Sequence, residues 1–105
     1  MAEFVSAELK TLTTTPTVVY TSQSDSTIIL SLLVANTEGA QTQDVTVSHI
    51  KDGYICGEIA HTIPVPNDSS LELLANKYVL PSGNQLKASS SASGFLSLIG
   101  SIVII

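Results

Sequence analysis

The sequence predicts an all-β domain: an antiparallel β-sandwich of seven to nine short strands, immunoglobulin-like or jelly-roll-like. Three observations predict it. First, Thr27–Asn36, TIILSLLVAN, is the longest β-favouring run, and turn chemistry flanks it on both sides. Second, Lys51-Asp52-Gly53-Tyr54 places Asp-Gly between two strand-like runs, which suits a two-residue turn with positive φ. Third, fifteen Ser and eleven Thr supply much of the polar surface, because charged residues make up only 12% against about 25% in an average domain. Thr favours strands, and both hydroxyl residues compete with the helical backbone for hydrogen bonds.

The elements follow in chain order. Phe4–Leu12 reads as a first strand, with Val5, Ala7 and Leu9 inward. Pro16 interrupts pairing and pushes Thr15 towards extended geometry. Thr17–Thr21 is a short strand, and residues 22–26, SQSDS, turn the chain into Thr27–Asn36. In that run the even positions are Ile28, Leu30, Leu32 and Val34. Alternate side chains point to opposite faces, so the even face is assigned to the core. The odd face is mostly apolar too, the pattern of a central strand covered on both sides.

Residues 37–42 read as a loop around Glu38-Gly39. Gln43–Ile50 alternates, with Val45, Val47 and His49 on one face. After the Asp-Gly turn, Tyr54–Ile63 holds Ile55, Gly57, Ile59, His61 and Ile63 in one phase, and Pro64 and Pro66 end it. Asn67–Ser70 is a turn, and strands follow at Leu71–Leu74 and Tyr78–Leu80. Leu80-Pro81-Ser82-Gly83 suits a type I turn. Gln85–Ser89 is a strand, residues 89–94, SSSASG, are a turn, and Phe95–Ile104 is the last strand. Strands at this spacing, with no helical period, point to one sandwich domain spanning residues 1–105.

Charge and cysteine usage exclude several classes. Net charge is −5, and the only basic residues are Lys10, Lys51, Lys77 and Lys87. Nucleic-acid binding needs clustered cations to displace counterions, so no nucleic-acid partner is expected. Cys56 is the only cysteine, which fits a chain folded in a reducing cytoplasm. MAEFVSAELK lacks the basic region and apolar core of a signal peptide. The apolar run 95–105 is eleven residues long, whereas a membrane helix needs about 20, so no membrane partner is expected either.

No motif announces chemistry. His49, Cys56 and His61 are the soft metal ligands. Five residues separate Cys56 from His61, which sets them on opposite faces of a regular strand. A zinc site needs three or four convergent ligands, so no metal and no cofactor is expected. A nucleophilic Cys56 would need a base and an electropositive setting, yet Glu58 shares its face; Cys56 is read as structural. The nine carboxylates are scattered singly, and no pair is tuned as acid and base. There is no phosphate loop and no nucleophile elbow. The chain is therefore read as no enzyme.

What stands out is surplus apolar surface. In the last strand Leu96, Leu98, Gly100, Ile102 and Ile104 form a core face. The opposite face carries Phe95, Ile99, Val103 and Ile105, interrupted only by Ser97 and Ser101. Ile29 and Leu33 pose the same question on the central strand. A monomer rarely exposes a contiguous apolar patch beyond a few hundred Å². Phe95, Ile99, Val103, Ile105, Ile29 and Leu33 are therefore assigned to a subunit interface, with homo-oligomerisation expected.

These residues also carry a resemblance. FVSAELKTLTTTPTVVYTSQSDSTIILSLLVAN, then VTVSH, then IPVPNDSSLELLANKYVLPSGNQLKASSSASGFLSLIGSIVII, resemble small virion proteins of tailed phages, notably those of cyanobacteria and other marine bacteria. The likeness spans nearly the whole chain, with Asn84 standing where that pattern commonly has an acid. It implies a structural virion protein, localised to the virion, partnered with the major capsid protein or another virion protein, and without catalytic residues. A capsid decoration or cement protein is the first reading. The alternatives are a neck, tail or baseplate accessory subunit, or a host-glycan-binding module, although the chain has no Trp and its three Tyr are dispersed.

Overall fold

The computed structural model describes residues 3–6, 10–22, 26–36, 41–74, 76–92 and 96–104. Its strands are β1 (Glu3–Ser6), β2 (Lys10–Thr11), β3 (Thr17–Thr21), β4 (Thr27–Asn36), β5 (Gln43–Lys51), β6 (Tyr54–Val65), β7 (Ser69–Glu72), β8 (Tyr78–Leu80), β9 (Gln85–Ser90) and β10 (Leu96–Ile104). Every pairing is antiparallel. Sheet A has the order β1-β10-β4-β7, with β2 also on β10 and β8 also on β4. Sheet B has the order β3-β9-β5-β6. Both sheets are thus four strands wide, and the described residues form an all-β sandwich. The ten strands exceed the expected seven to nine because the first expected strand divides into β1 and β2.

The topology has a simple origin. β1 and β2 pair with β10, β3 with β9, β4 with β7 and β8, and β5 with β6. Partners mirror one another about the Asp52-Gly53 turn, from Lys51↔Tyr54 out to Glu3↔Ile104. The chain is one long hairpin, rolled so that successive pairs fall alternately in sheet B and sheet A. That is a jelly roll, the second of the two architectures the sequence allowed. The turn at its tip has φ of 51° at Asp52 and 82° at Gly53. Positive φ at both central positions is what a type I′ hairpin turn demands, and it explains the Asp-Gly pair.

The core lies between the sheets. Val34, Leu96 and Leu98 come from sheet A, and Val45, Val47 and Leu86 from sheet B. Val45, Val47 and His49 share the inner face, as alternation predicts. Leu96, Leu98, Gly100 and Ile102 are all buried, so the last strand has the expected core face. An apolar void of about 20 Å³ remains beside Gly100, lined by Val19, Tyr20, Ile29, Leu32, Leu86, Leu98 and Ile102.

The central strand differs from its expected phase. The β4–β10 register runs Leu33↔Ile99, Gly100↔Leu32 and Ser101↔Ser31, then slips so that Ile102 faces Ile29. Leu30 is the extra residue of a β-bulge. Inward positions are therefore Thr27 and Ile29 before the bulge, and Leu32, Val34 and Asn36 after it. Ile29, assigned above to the interface, is 1% exposed and belongs to the core. Leu30, assigned to the core, is 37% exposed. The run is apolar in both phases, so alternation alone gives no sign of the slip.

Other corrections are local. The first strand divides into β1 and β2; its expected inward residues Ala7 and Leu9 lie outside the described residues. β6 continues through Pro64 to Val65, which a sheet edge tolerates because the missing N–H faces away from the ladder. Its single phase is broken by three register slips against β5, and Thr62 takes φ of 53°. The turn before β9 closes one residue later than expected. The Asn84 amide donates to the Pro81 carbonyl at 3.1 Å, and Gly83 takes φ of 84°.

Buried polar groups tie the layers together. The Asn36 side-chain amide donates to the Gln41 and Val65 carbonyls, both at 3.0 Å, joining an end of sheet A to an end of sheet B. The hydroxyls of Tyr20, Thr27 and Ser22 form a chain at 3.0 and 3.1 Å. Among the described residues no buried side-chain polar atom lacks a partner, as a uniquely packed interior requires.

Candidate assembly face

The two outer faces of the sandwich differ in chemistry. On sheet B, β5 and β9 carry Asp44, Thr46, Ser48, Gln85, Lys87 and Ser89 on the outer side, and the row Gln85–Ile50–Ile55 adds two isoleucines near the hairpin tip, Ile50 buried and Ile55 63% exposed. On sheet A the register lines up side chains in rows across the strands. One row is Glu72–Leu33–Ile99, from β7 through β4 to β10. The next is Ser31–Ser101. Beyond it comes Val79–Ile28–Val103, from β8 through β4 to β10. The bulge turns Leu30 out between the last two rows. Leu30 (37%), Ile99 (41%) and Val79 (57%) are exposed large apolar side chains.

The residues assigned to an interface separate accordingly. Ile99 and Leu33 sit opposite one another on the outer face, Ile99 exposed and Leu33 half-buried. Val103 lies on the same face but is only 8% exposed. Ile29 is core. Phe95 and Ile105 lie outside the described residues. Leu30 and Val79 join the face without having been assigned to it. For Val79 a signal was present, since it alternates with inward Tyr78 and Leu80. For Leu30 there was none, because its place depends on the bulge.

Two carboxylates border this face: Asp68, in a recess with Leu33, Ala35, Ser69 and Ser70, and Glu72, which is held by the fold. β7 ends at Glu72 and β8 begins at Tyr78, leaving a gap in the ladder along β4. The Glu72 side chain fills it. Oε1 accepts from the Ser31 hydroxyl at 2.6 Å, and Oε2 accepts from the Leu32 amide at 2.6 Å and the Leu74 amide at 3.3 Å. Beside them the Leu73 amide donates to the Leu32 carbonyl at 2.8 Å. Burial alone would push the carboxyl up, but these donors together hold it below the usual value of 4.5. The oxygens are occupied, so Glu72 makes no demand on a cation from outside.

The sheet edges are poor sites for association. An open edge is a template for another strand, and natural sheets blunt their edges with bulges, prolines and short strands. β6 carries three register slips and Pro64; β3 carries a slip between Val18 and Tyr20 and follows Pro16. Both edges of sheet A are built of segments of four residues or fewer. Association through a face is what this design leaves open.

The other polar cluster is internal. The Asn84 side-chain amide donates to His49 Nε2 at 2.7 Å, which leaves the neutral ring's proton on Nδ1, donated to the Tyr78 hydroxyl at 2.5 Å. The rings meet edge to face, centroids 5.5 Å apart. The cluster links β5 to β8, hence sheet B to sheet A. Burial, and then the Lys51 ammonium, hold His49 below its ordinary 6.5. Burial, and then Cys56, raise the Tyr78 phenol above 10.0. Asn84, the position where the resembling pattern commonly has an acid, is thus a neutral donor to a neutral imidazole.

The soft ligands do not converge. His49 is inside, His61 is exposed beside Glu58 (3.0 Å), and Cys56 is exposed rather than structural. Among the described residues no group of three His, Cys, Asp or Glu could hold a metal. A recess of about 370 Å³ opens on sheet B, lined by Pro16, Thr46, Ser48, Ile50, Gly53, Ile55, Glu58, Lys87, Ala88 and Ser89. No aromatic ring is among these, and aromatic rings are the usual platform for a sugar. No helix of the described residues is long and apolar enough to cross a membrane. No family model, curated protein or solved structure matches this chain.

Proposed function

We propose that this chain is a structural virion protein of a tailed bacteriophage, a decoration or cement protein that binds and stabilises the assembled head. The observation that carries the reading is the apolar patch on the outer face of sheet A, Leu30, Leu33, Val79 and Ile99 around the Ser31–Ser101 row, set against a mostly polar outer face on sheet B and four blunted edges. A protein of this shape works by burying one face in a larger assembly. Its mechanism is mass action: subunits that bind assembled shell and not free capsid chains stabilise the shell by RT ln(1 + [L]/Kd). Repetition over the shell adds avidity, so each contact can be weak. The sequence resemblance supports the virion assignment. The jelly-roll topology adds weight only by analogy, because many viral capsid domains share it while a fold by itself sets no function.

The same face would serve a neck, tail or baseplate subunit, and copy number separates these readings. Purified particles of a phage encoding the chain should contain it in hundreds of copies for a head protein, or in a dozen or so for a neck or baseplate ring. Quantitative mass spectrometry of the particles makes the measurement. Particles that lack the chain, while infected cells contain it, would overturn the virion reading.

A further inference from the structure

The outer face of sheet A has a symmetry of its own. Its central row is Ser31–Ser101, with an apolar row on either side: Leu33–Ile99 on one, Ile28–Val103 on the other. We propose that the partner of this face is a second copy of the chain, in a face-to-face dimer whose two-fold axis runs along the serine row. This deepens the structural-protein reading and rests on it.

A half-turn about an in-plane axis along that row brings β4 over β4 and β10 over β10, with strands antiparallel. Leu33 of one copy then lies over Ile28 of the other, and Ile99 over Val103. On β4 and β10 each apolar row meets an apolar row; on the edge strand Glu72 of one copy lies over Val79 of the other. Ser101 meets Ser101, and a hydroxyl both donates and accepts, so the polar row is satisfied by its own image. Two such sheets share one twist, as aligned face-to-face packing at about −30° requires.

Area and charge favour this occupant. Four strands about 4.8 Å apart and a nine-residue β10 at about 3.3 Å per residue make a plane of about 19 by 30 Å. That is about 570 Å² per copy, or about 1,100 Å² over both, just above the ~1,000 Å² in total that a biological interface should clear. The chain carries −5 and would repel its own copy across most orientations. On this face Glu72 has its oxygens already bonded and stands on the edge strand β7, and the exposed Asp68 lies at the end of the face beside Ala35. The dimer buries the outer face of sheet A between two copies, so the larger assembly is met by the dimer as a unit, through surface that stays exposed such as Tyr54 and Ile55 at the hairpin tip.

Because Ser101 meets itself, it gives a discriminating test. Purified wild type, Ser101→Asp, Ser101→Lys and an equal mixture of the two variants would be weighed by sedimentation equilibrium, with folding followed by circular dichroism. Wild type should have twice the 11.0 kDa chain mass. Each variant alone should fall to one chain mass, since like charges oppose across the axis, and the mixture should return to two. Wild type at one chain mass at 100 µM, variants that both stay dimeric, or folded variants whose mixture stays monomeric would each overturn the dimer. Should the Asp variant not fold, the Lys variant alone carries the test: a folded Lys variant that stays dimeric refutes it. A monomeric wild type still found in particles would sink the dimer and spare the virion reading. A dimer absent from particles would do the reverse.

Discussion

Replacing Ile29 by alanine should cost far more than replacing Leu30, although simple alternation along β4 expects the opposite. Ile29 is 1% exposed, packed in the inter-sheet core and bordering the void beside Gly100. Truncating a buried isoleucine removes its transfer free energy and enlarges a cavity, about 2–5 kcal/mol in all. The existing void argues for the upper half of that range, because space already present resists collapse. Leu30 is 37% exposed on the outer face, so its truncation opens no closed cavity. Full burial of such a side chain is worth about 1.5–3 kcal/mol, and the partial burial here leaves about 1 kcal/mol. Urea titration followed by circular dichroism reads the difference. With m of about 1–3 kcal/mol/M, a loss of about 4 kcal/mol at Ile29 lowers the midpoint by about 1.3–4 M. Leu30→Ala should move it by well under half as much. A Leu30→Ala variant as destabilised as Ile29→Ala would refute the bulge and the face assignment built on it.

Glu72→Gln should destabilise by about 1 kcal/mol, the discounted value of charge-assisted bonds at a partly exposed site. Since the folded carboxyl is held below 4.5, its contribution is present above that pH and is lost as pH falls further; the urea midpoint of wild type should drop there more than that of the variant. His49 is held below 6.5, so below pH 6.5 the unfolded chain takes up the proton first. Stability should fall from pH 6.5 towards the folded pKa and level off beneath it, and His49→Gln should flatten that slope; an unchanged slope would remove His49 as its cause. The exposed Cys56 should react with a thiol reagent such as DTNB, one equivalent per chain, without denaturant. A thiol that reacts only after unfolding would contradict its placement.

The sequence made most strands legible, and the reasons are physical. Asp52-Gly53 was readable because positive φ at two successive positions admits few residue pairs, and it is the axis about which the whole hairpin folds. Thr27–Asn36 was readable in extent because turn chemistry bounds it. Its phase was not readable, because Ile28, Ile29 and Leu30 are all large and apolar and the slip is set by the β10 partner. The phase of β10 was readable, because Gly100, Ser97 and Ser101 break the apolar pattern. The Glu72 plug was out of reach, since it fills a gap between β7 and β8 that exists only once both lie along β4. His49 could be placed on the inner face by alternation, but its partners Tyr78 and Asn84 are brought to it by the roll of the chain.

The outer face of sheet A is the face through which we propose that this protein assembles. Ile99→Asp tests it most directly: Ile99 is exposed, so the core is untouched, while an unpaired carboxylate would have to be desolvated in any interface formed there. Folding would be read by circular dichroism, and incorporation by co-sedimentation with phage particles beside wild type. The variant should fold like wild type and be lost from the particle fraction. A folded variant that enters particles as wild type does would contradict it.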